Sequence, residues 1–347
     1  MAESSSPPVR AVIFGCAGPR LGADERRFFQ RTNPLGFILF ARNCETPDQV
    51  AALVAELRAA VGRADAPVLI DQEGGRVQRL GPPHWPALPA ARALAGLADA
   101  DPEDAAGAAW LLGRLLAAQL APLGITVDCA PVLDVGRPET HEVIGDRAIG
   151  STPARVARLG RAVCDGLLAG GVLPVIKHIP GHGRAVADSH LELPVVEAPL
   201  ADLERVDFRP FRELADMPWA MTAHVVFTAV DAAEPVSTSA PAIRKVVRGA
   251  IGFGGLLLSD DIGMQALSGD MGERARACLA AGCDVALHCS GDMAEMELAA
   301  AGARPLRPVA ATWLARAERR RRAATDPFHF DAEAGLAKLQ RLLAGAA

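Results

Sequence analysis

Short apolar runs recur along the chain, each followed by a longer segment with helical spacing. They are RAVIFG (10–15), GFILF (36–40), PVLI (67–70), ITVDCA (125–130), LPVIK (173–177), WAMTAH (219–224), GLLLS (255–259) and DVALHC (284–289). The runs are continuous rather than alternating, as expected for parallel strands covered on both faces. Between them, Val50, Leu53, Val54, Leu57 and Val61 fall on one face of a helix over 46–61. Thr46 is placed to cap that helix, Pro47 suits its first turn, and Gln49 can close a capping box. Asp101-Pro102 and Thr152-Pro153 repeat the same grammar. Strand followed by helix, eight times over, predicts an α/β fold of the (β/α)8 TIM-barrel type. A doubly wound open sheet is the alternative, weakened because no glycine-rich dinucleotide fingerprint follows the first run.

The tail from about residue 308 reads as helix, and its arginines (Arg316, Arg319, Arg320, Arg321 and Arg322) read as a solvated basic face offset by Glu318. No break in composition marks a second domain. The expected organisation is a disordered leader over residues 1–9 and one barrel domain over 10–347 that includes the C-terminal helices.

Composition narrows the class. The 347 residues are 50% hydrophobic, enough for a large core, and the net charge of −5 argues against a nucleic-acid partner. Seven cysteines, an odd number without a CxxC pair, read as buried free thiols in a reducing compartment. The N-terminal stretch lacks the basic-then-apolar pattern of a signal peptide. No run approaches the roughly 20 apolar residues of a membrane span. A soluble, cytoplasmic protein without a membrane partner is expected.

In a barrel of this kind chemistry gathers at the C-terminal ends of the strands. There the sequence places Arg42-Asn43, Asp71, Asp128 with Asp134 and Arg147 in the following loop, Lys177-His178, His224, Ser259-Asp260-Asp261 and His288. Each has a plainer reading alone. Asp261 could cap a helix, Arg147 could pair with Asp146, Arg79 could be an exposed helical residue, and His224 and His288 could be satisfied core histidines. The loop after the fifth strand, KHIPGHGRAVADSH (177–190), concentrates His178, His182 and His190 among glycines that permit unusual backbone angles. Its Gly181-His182-Gly183 could equally be a tight turn with an exposed histidine.

That stretch, followed by LELP, resembles the signature of glycoside hydrolase family 3. SDDIGM (259–264) is similar to the family's nucleophile segment. DQEGGRVQRL (71–80), GDRAIG (145–150), GFILFARN (36–43) and AGCDVALHC (281–289) follow in the family's order. Ile179 departs from the usual phenylalanine, and Ile262-Gly263 from the usual leucine-serine. Within the family the chain looks most like the single-domain cytoplasmic β-N-acetylglucosaminidases of peptidoglycan recycling.

The resemblance implies a retaining glycosidase with Asp260 as nucleophile, His190 as acid/base and Asp188 orienting it. Asp71, Arg79, Arg147, Lys177 and His178 are implied as substrate ligands. No cofactor or metal is implied, and the expected partner is a small carbohydrate, an N-acetylglucosaminyl muropeptide, bound by a monomer. An aspartate two residues before a histidine can hold the ring's tautomer and stabilise its cation. Three rivals stay open: a metal-dependent barrel hydrolase using His178, His182 and His190, a phosphorylase on the same fold, and a non-catalytic sugar sensor.

Overall fold

The computed structural model describes residues 7–189, 191–323 and 330–345. Eight parallel strands close a barrel: β1 (Arg10–Phe14), β2 (Pro34–Leu39), β3 (Val68–Ile70), β4 (Val127–Asp128), β5 (Leu173–Ile179), β6 (Trp219–Thr222), β7 (Leu256–Asp261) and β8 (Val285–His288). Each strand pairs with its sequence neighbours, and β8 closes on β1 with Val12 opposite Ala286 and Phe14 opposite His288. Every predicted run overlaps one of these strands, and closure of the barrel excludes the open-sheet alternative. Boundaries moved where backbone pairing, rather than apolarity, sets the end. β5 continues through Ile179, so Lys177 and His178 lie inside the strand, whereas β6 stops at Thr222 and leaves His224 in the next loop.

The continuity of the apolar runs has a structural cause. Ile13, Ile38, Leu69, Val127, Val175, Met221, Leu258 and Leu287 fill the barrel interior. The alternate residues Val12, Phe14, Phe37, Val68, Ile70 and Leu257 belong to the second core, beneath the helices. Both faces of each strand are therefore buried, and no polar alternation survives.

Helix starts follow the predicted grammar in part. Thr46 Oγ accepts from Gln49 N at 3.3 Å, but the box is not closed. The Gln49 amide instead accepts from Glu45 N and donates to the carbonyls of Pro19 and Asn43. Asp101 accepts from Glu103 N and Asp104 N, while Thr152 makes no side-chain cap bond. One expectation is corrected: Pro102–Leu123 is long and apolar enough, by length and composition, to cross a membrane, although 61% of its most apolar window is buried inside the domain. It packs tightly on the helix Pro153–Ala169. A Cβ at Gly113 would lie 2.2 Å from Val163 O, and one at Gly166 2.2 Å from Trp110 O, so only glycine allows this approach.

The helix Pro308–Ala323 contributes Ala310 and Ala317 to the barrel-interior cluster. Its arginine run is offset as expected, with Glu318 paired to both Arg321 and Arg322. All seven cysteines are free thiols, six of them buried.

Candidate active site

The strand ends surround a cavity of about 310 Å³ lined by Asp71, Arg79, Arg147, Lys177, His178 and Asp260. These six predicted residues come from the ends of β3, β5 and β7 and the loops after β3 and β4. Phe40 after β2 and Cys289 after β8 also line it. The volume lies at the small end of ligand pockets, which run about 300–1,000 Å³.

One side of the cavity is a buried network of charges. Lys177 Nζ is 2.9 Å from Asp71 Oδ1 and 2.7 Å from Glu73 Oε1. Arg147 grips the same Glu73 at two points, Nε to Oε2 at 2.9 Å and Nη2 to Oε1 at 2.8 Å. Arg79 Nη2 sits 3.4 Å from Asp71 Oδ2, and its guanidinium lies 5.4 Å from the centre of the Phe40 ring. Burial alone would raise the Asp71 carboxyl, but Lys177 and Arg79 outweigh it and hold it below its usual range. Burial likewise disfavours the Lys177 ammonium, yet Asp71 and Glu73 keep it charged beyond neutral pH. The wall therefore presents fixed charges and hydrogen-bond donors to the cavity.

The opposite side carries the β7 carboxylates. Asp260 Oδ1 accepts from Asp261 N at 2.8 Å. Burial raises its carboxyl, but the nearby His178 and His224 more than offset this and bring it below its ordinary value. Asp260 is thus an anion at neutral pH inside an enclosed site. Asp261 also borders the cavity, but its Oδ1 is occupied by Gly263 N at 3.0 Å and Cys289 N at 3.2 Å. Burial pushes Asp261 up. It does not cap the next helix, whose N-cap is Asp270.

Asp134, fully buried, organises the histidines. Its Oδ2 is 2.7 Å from His178 Nδ1, and its Oδ1 accepts from His182 N at 2.6 Å. With the Nδ1 proton committed to Asp134, a neutral His178 has Nε2 left as an acceptor. The peptide between Lys177 and His178 is cis, and both side chains line the cavity.

The remaining mouth residues are structural. Arg42 donates to the carbonyls of Cys16 and Cys289, and Asn43 to those of Cys16 and Gly18, tying loops of β1, β2 and β8 together. Asp128 is buried beneath the mouth and accepts from Gln72 N at 3.0 Å. His224 is a satisfied core histidine, with Nδ1 2.7 Å from Ser237 Oγ and Nε2 3.0 Å from Asp261 O. His288 is buried with Nε2 3.1 Å from Glu295, and its Nδ1 has no partner among the described residues. Two plainer readings are corrected. Arg147 pairs with Glu73 rather than Asp146, which pairs with Arg76 at 2.7 Å. His182 is buried, not exposed on a turn.

The pair expected to act as acid/base is placed less directly. Asp188 lines a neighbouring depression of about 750 Å³, which shares Arg76 and Val143 with the cavity but does not contain Asp260. His190 lies outside the described residues. Glu73 and Arg76 were missed by sequence reasoning. Both sit in the quoted DQEGGR stretch, but nothing local distinguishes a carboxylate that will be clamped between two distant cations.

Residues 18–312 match the glycosyl hydrolase family 3 N terminal domain. The chain is similar to the beta-hexosaminidase of Alkalilimnicola ehrlichii, 41% identical over 283 residues that cover 80% of each protein. It is 40% identical to the beta-hexosaminidase of Bordetella avium over 299 residues, 84% of each. It superposes on NagZ from Neisseria gonorrhoeae in complex with N-trifluoroacetyl-D-glucosamine with a TM-score of 0.86 and 34% identity, covering 97% of this chain and 98% of that one. A glycoside hydrolase family 3 beta-N-acetylglucosaminidase from Paenibacillus sp. matches with a TM-score of 0.84 and 30% identity, over 96% of this chain and 66% of that one.

Proposed function

Since the chain belongs to glycosyl hydrolase family 3, we propose that it is a retaining β-N-acetylglucosaminidase that removes terminal N-acetylglucosamine from peptidoglycan fragments in the cytoplasm, as a monomer. That it is a glycoside hydrolase with β-N-acetylhexosaminidase activity rests on the family and on the named relatives. The observation that carries the finer reading is the Asp260 carboxylate, kept ionised in a cavity also lined by Asp71, Lys177 and Arg147, with Glu73 paired to both cations.

In this reading Asp71 accepts hydrogen bonds from sugar hydroxyls, and Arg79, Arg147 and Lys177 donate them. His178 contributes Nε2, which accepts a hydroxyl proton when the ring is neutral. An Asp260 oxygen attacks C1 as the C1–O bond to the aglycone breaks, and His190, oriented by Asp188, gives its proton to the departing oxygen. A water then attacks C1 of the glycosyl-enzyme and loses its proton to His190, and the Asp260–C1 bond breaks with net retention. A histidine in this role is neutral once it has given its proton to the leaving oxygen, adding no negative charge beside the sugar.

A panel of aryl β-glycosides tests the reading. N-acetylglucosaminide should turn over far faster than glucoside, with β-configured product by NMR. Equal rates would remove the 2-acetamido assignment, an α product the covalent mechanism. A rate that depends on added phosphate would make the enzyme a phosphorylase.

A further inference from the structure

His182 has no part in the reaction as written above. The side chain is 2% exposed and does not line the cavity. Its Nε2 lies 3.3 Å from Ser189 Oγ, and its Nδ1 has no hydrogen-bond partner among the described residues. Burial lowers the ring to about 4, so it is neutral at neutral pH. A neutral ring carries one N–H. Placing it on Nε2 pairs it with Ser189 and leaves only a lone pair unmatched at Nδ1, which costs less than an orphaned donor. Ser189 is itself only 4% exposed and stands between Asp188 and His190 in the chain.

The backbone on the other side of His182 is equally constrained. Gly181 has φ +137°, and a Cβ at Gly183 would lie 2.1 Å from Val135 O. The His182 N–H is held by Asp134, which also holds the cavity residue His178. A continuous path of hydrogen bonds thus runs from the sugar-facing His178 through Asp134 and His182 to Ser189.

We propose that the His182–Ser189 hydrogen bond is a positioning contact for the acid/base segment. It fixes the chain at Ser189, between the two residues read as the acid/base pair, and Asp134 ties that point to the sugar-binding wall. His182 and Ser189 are positioning residues and carry no proton in the reaction. The inference rests on the reading of His190 as acid/base.

Ser189→Ala removes the hydroxyl with little change of volume, and His182→Phe keeps a ring without Nε2. Each variant, and the double variant, is assayed on a dinitrophenyl N-acetylglucosaminide, which departs without protonation, and on an N-acetylglucosaminyl disaccharide, which needs the acid. A single hydrogen bond is worth about 1 kcal/mol net, so kcat/KM should fall roughly five- to tenfold further on the disaccharide than on the dinitrophenyl substrate. The double variant should be no worse than either single variant. Equal losses on both substrates, or none, would overturn the proposal, because a merely structural role does not distinguish leaving groups. His190→Ala is run beside them. If it shows the leaving-group split and Ser189→Ala does not, the positioning role alone is wrong. If His190→Ala shows no split either, the acid/base reading fails and the proposal falls with it.

Discussion

Glu73 and Arg147 meet in a two-point ion pair, with both residues largely buried and Lys177 closing on the same carboxylate from β5. The pair joins the loop after β3 to the loop after β4 across the cavity wall. Removing one partner of a buried pair leaves an uncompensated charge and costs about 3–5 kcal/mol. Glu73→Gln should therefore lower stability by about 3 kcal/mol in urea melts and raise KM, since two cations lining the cavity lose their anchor. Arg147→Ala should be milder in stability because Lys177 still neutralises Glu73. Glu73→Gln at wild-type stability would show that the network contributes little to the fold.

Asp260 and Asp261 are adjacent and both border the cavity, but Asp260 is held below its ordinary value and among the described residues accepts only from Asp261 N, whereas Asp261 is raised by burial and its Oδ1 is taken by the Gly263 and Cys289 amides. Asp260→Ala should lower kcat by at least about 10⁴-fold with the fold intact by circular dichroism. Asp261→Ala should instead cost about 1–3 kcal/mol of stability, by leaving the Gly263 and Cys289 amides unpaired, with a smaller loss of rate. A 2-fluoro sugar should label the peptide containing Asp260. Label on Asp261 would shift the nucleophile by one residue.

Much of this arrangement is legible in the sequence because barrel strands are buried on both faces. Continuous runs such as 173–177 and 255–259 mark strands, and polar residues at their ends mark the mouth. Asp71, Lys177, His178 and Asp260 are found that way. Glu73 is not, because its importance comes from Lys177 and Arg147, both distant in sequence. Asp134 was read as one more mouth residue, whereas it is buried behind His178 and orients it. His224 and His288 end strands by pattern yet are buried and do not line the cavity, since pattern gives a residue's height along the barrel and not the direction of its ring.

His182 makes stability depend on pH in a defined direction. Burial lowers its folded value to about 4 from the ordinary 6.5, so between those values the unfolded chain binds the extra proton. The stability associated with the neutral ring is complete above pH 6.5 and is lost as pH falls toward 4, by about 3 kcal/mol in all at 1.36 kcal/mol per pH unit. Urea melts of wild type and His182→Phe at pH 7, 6 and 5 isolate this contribution. The wild type should lose stability relative to the variant on acidification. Parallel curves would mean that His182 titrates normally in the folded protein.

The role proposed for His190 predicts a dependence on leaving group and a chemical rescue. Protonation is needed only when the departing oxygen is basic. His190→Ala should therefore form the glycosyl-enzyme readily from a dinitrophenyl N-acetylglucosaminide and fail on a sugar aglycone, with loss of about 10²–10⁴-fold on the latter. The second step needs a base to activate water, so the intermediate should accumulate and be visible as a burst of dinitrophenolate and as a mass shift on the intact protein. Azide needs no deprotonation, so adding it should restore turnover and yield a β-glycosyl azide. Asp188→Ala should show a weaker form of the same pattern, because it removes the group that orients the ring and not the proton carrier. Loss that is equal on good and poor leaving groups, with no burst and no azide product, would remove His190 from the acid/base role. His178 would then be the imidazole to test next, because it is the histidine that lines the cavity with Asp260.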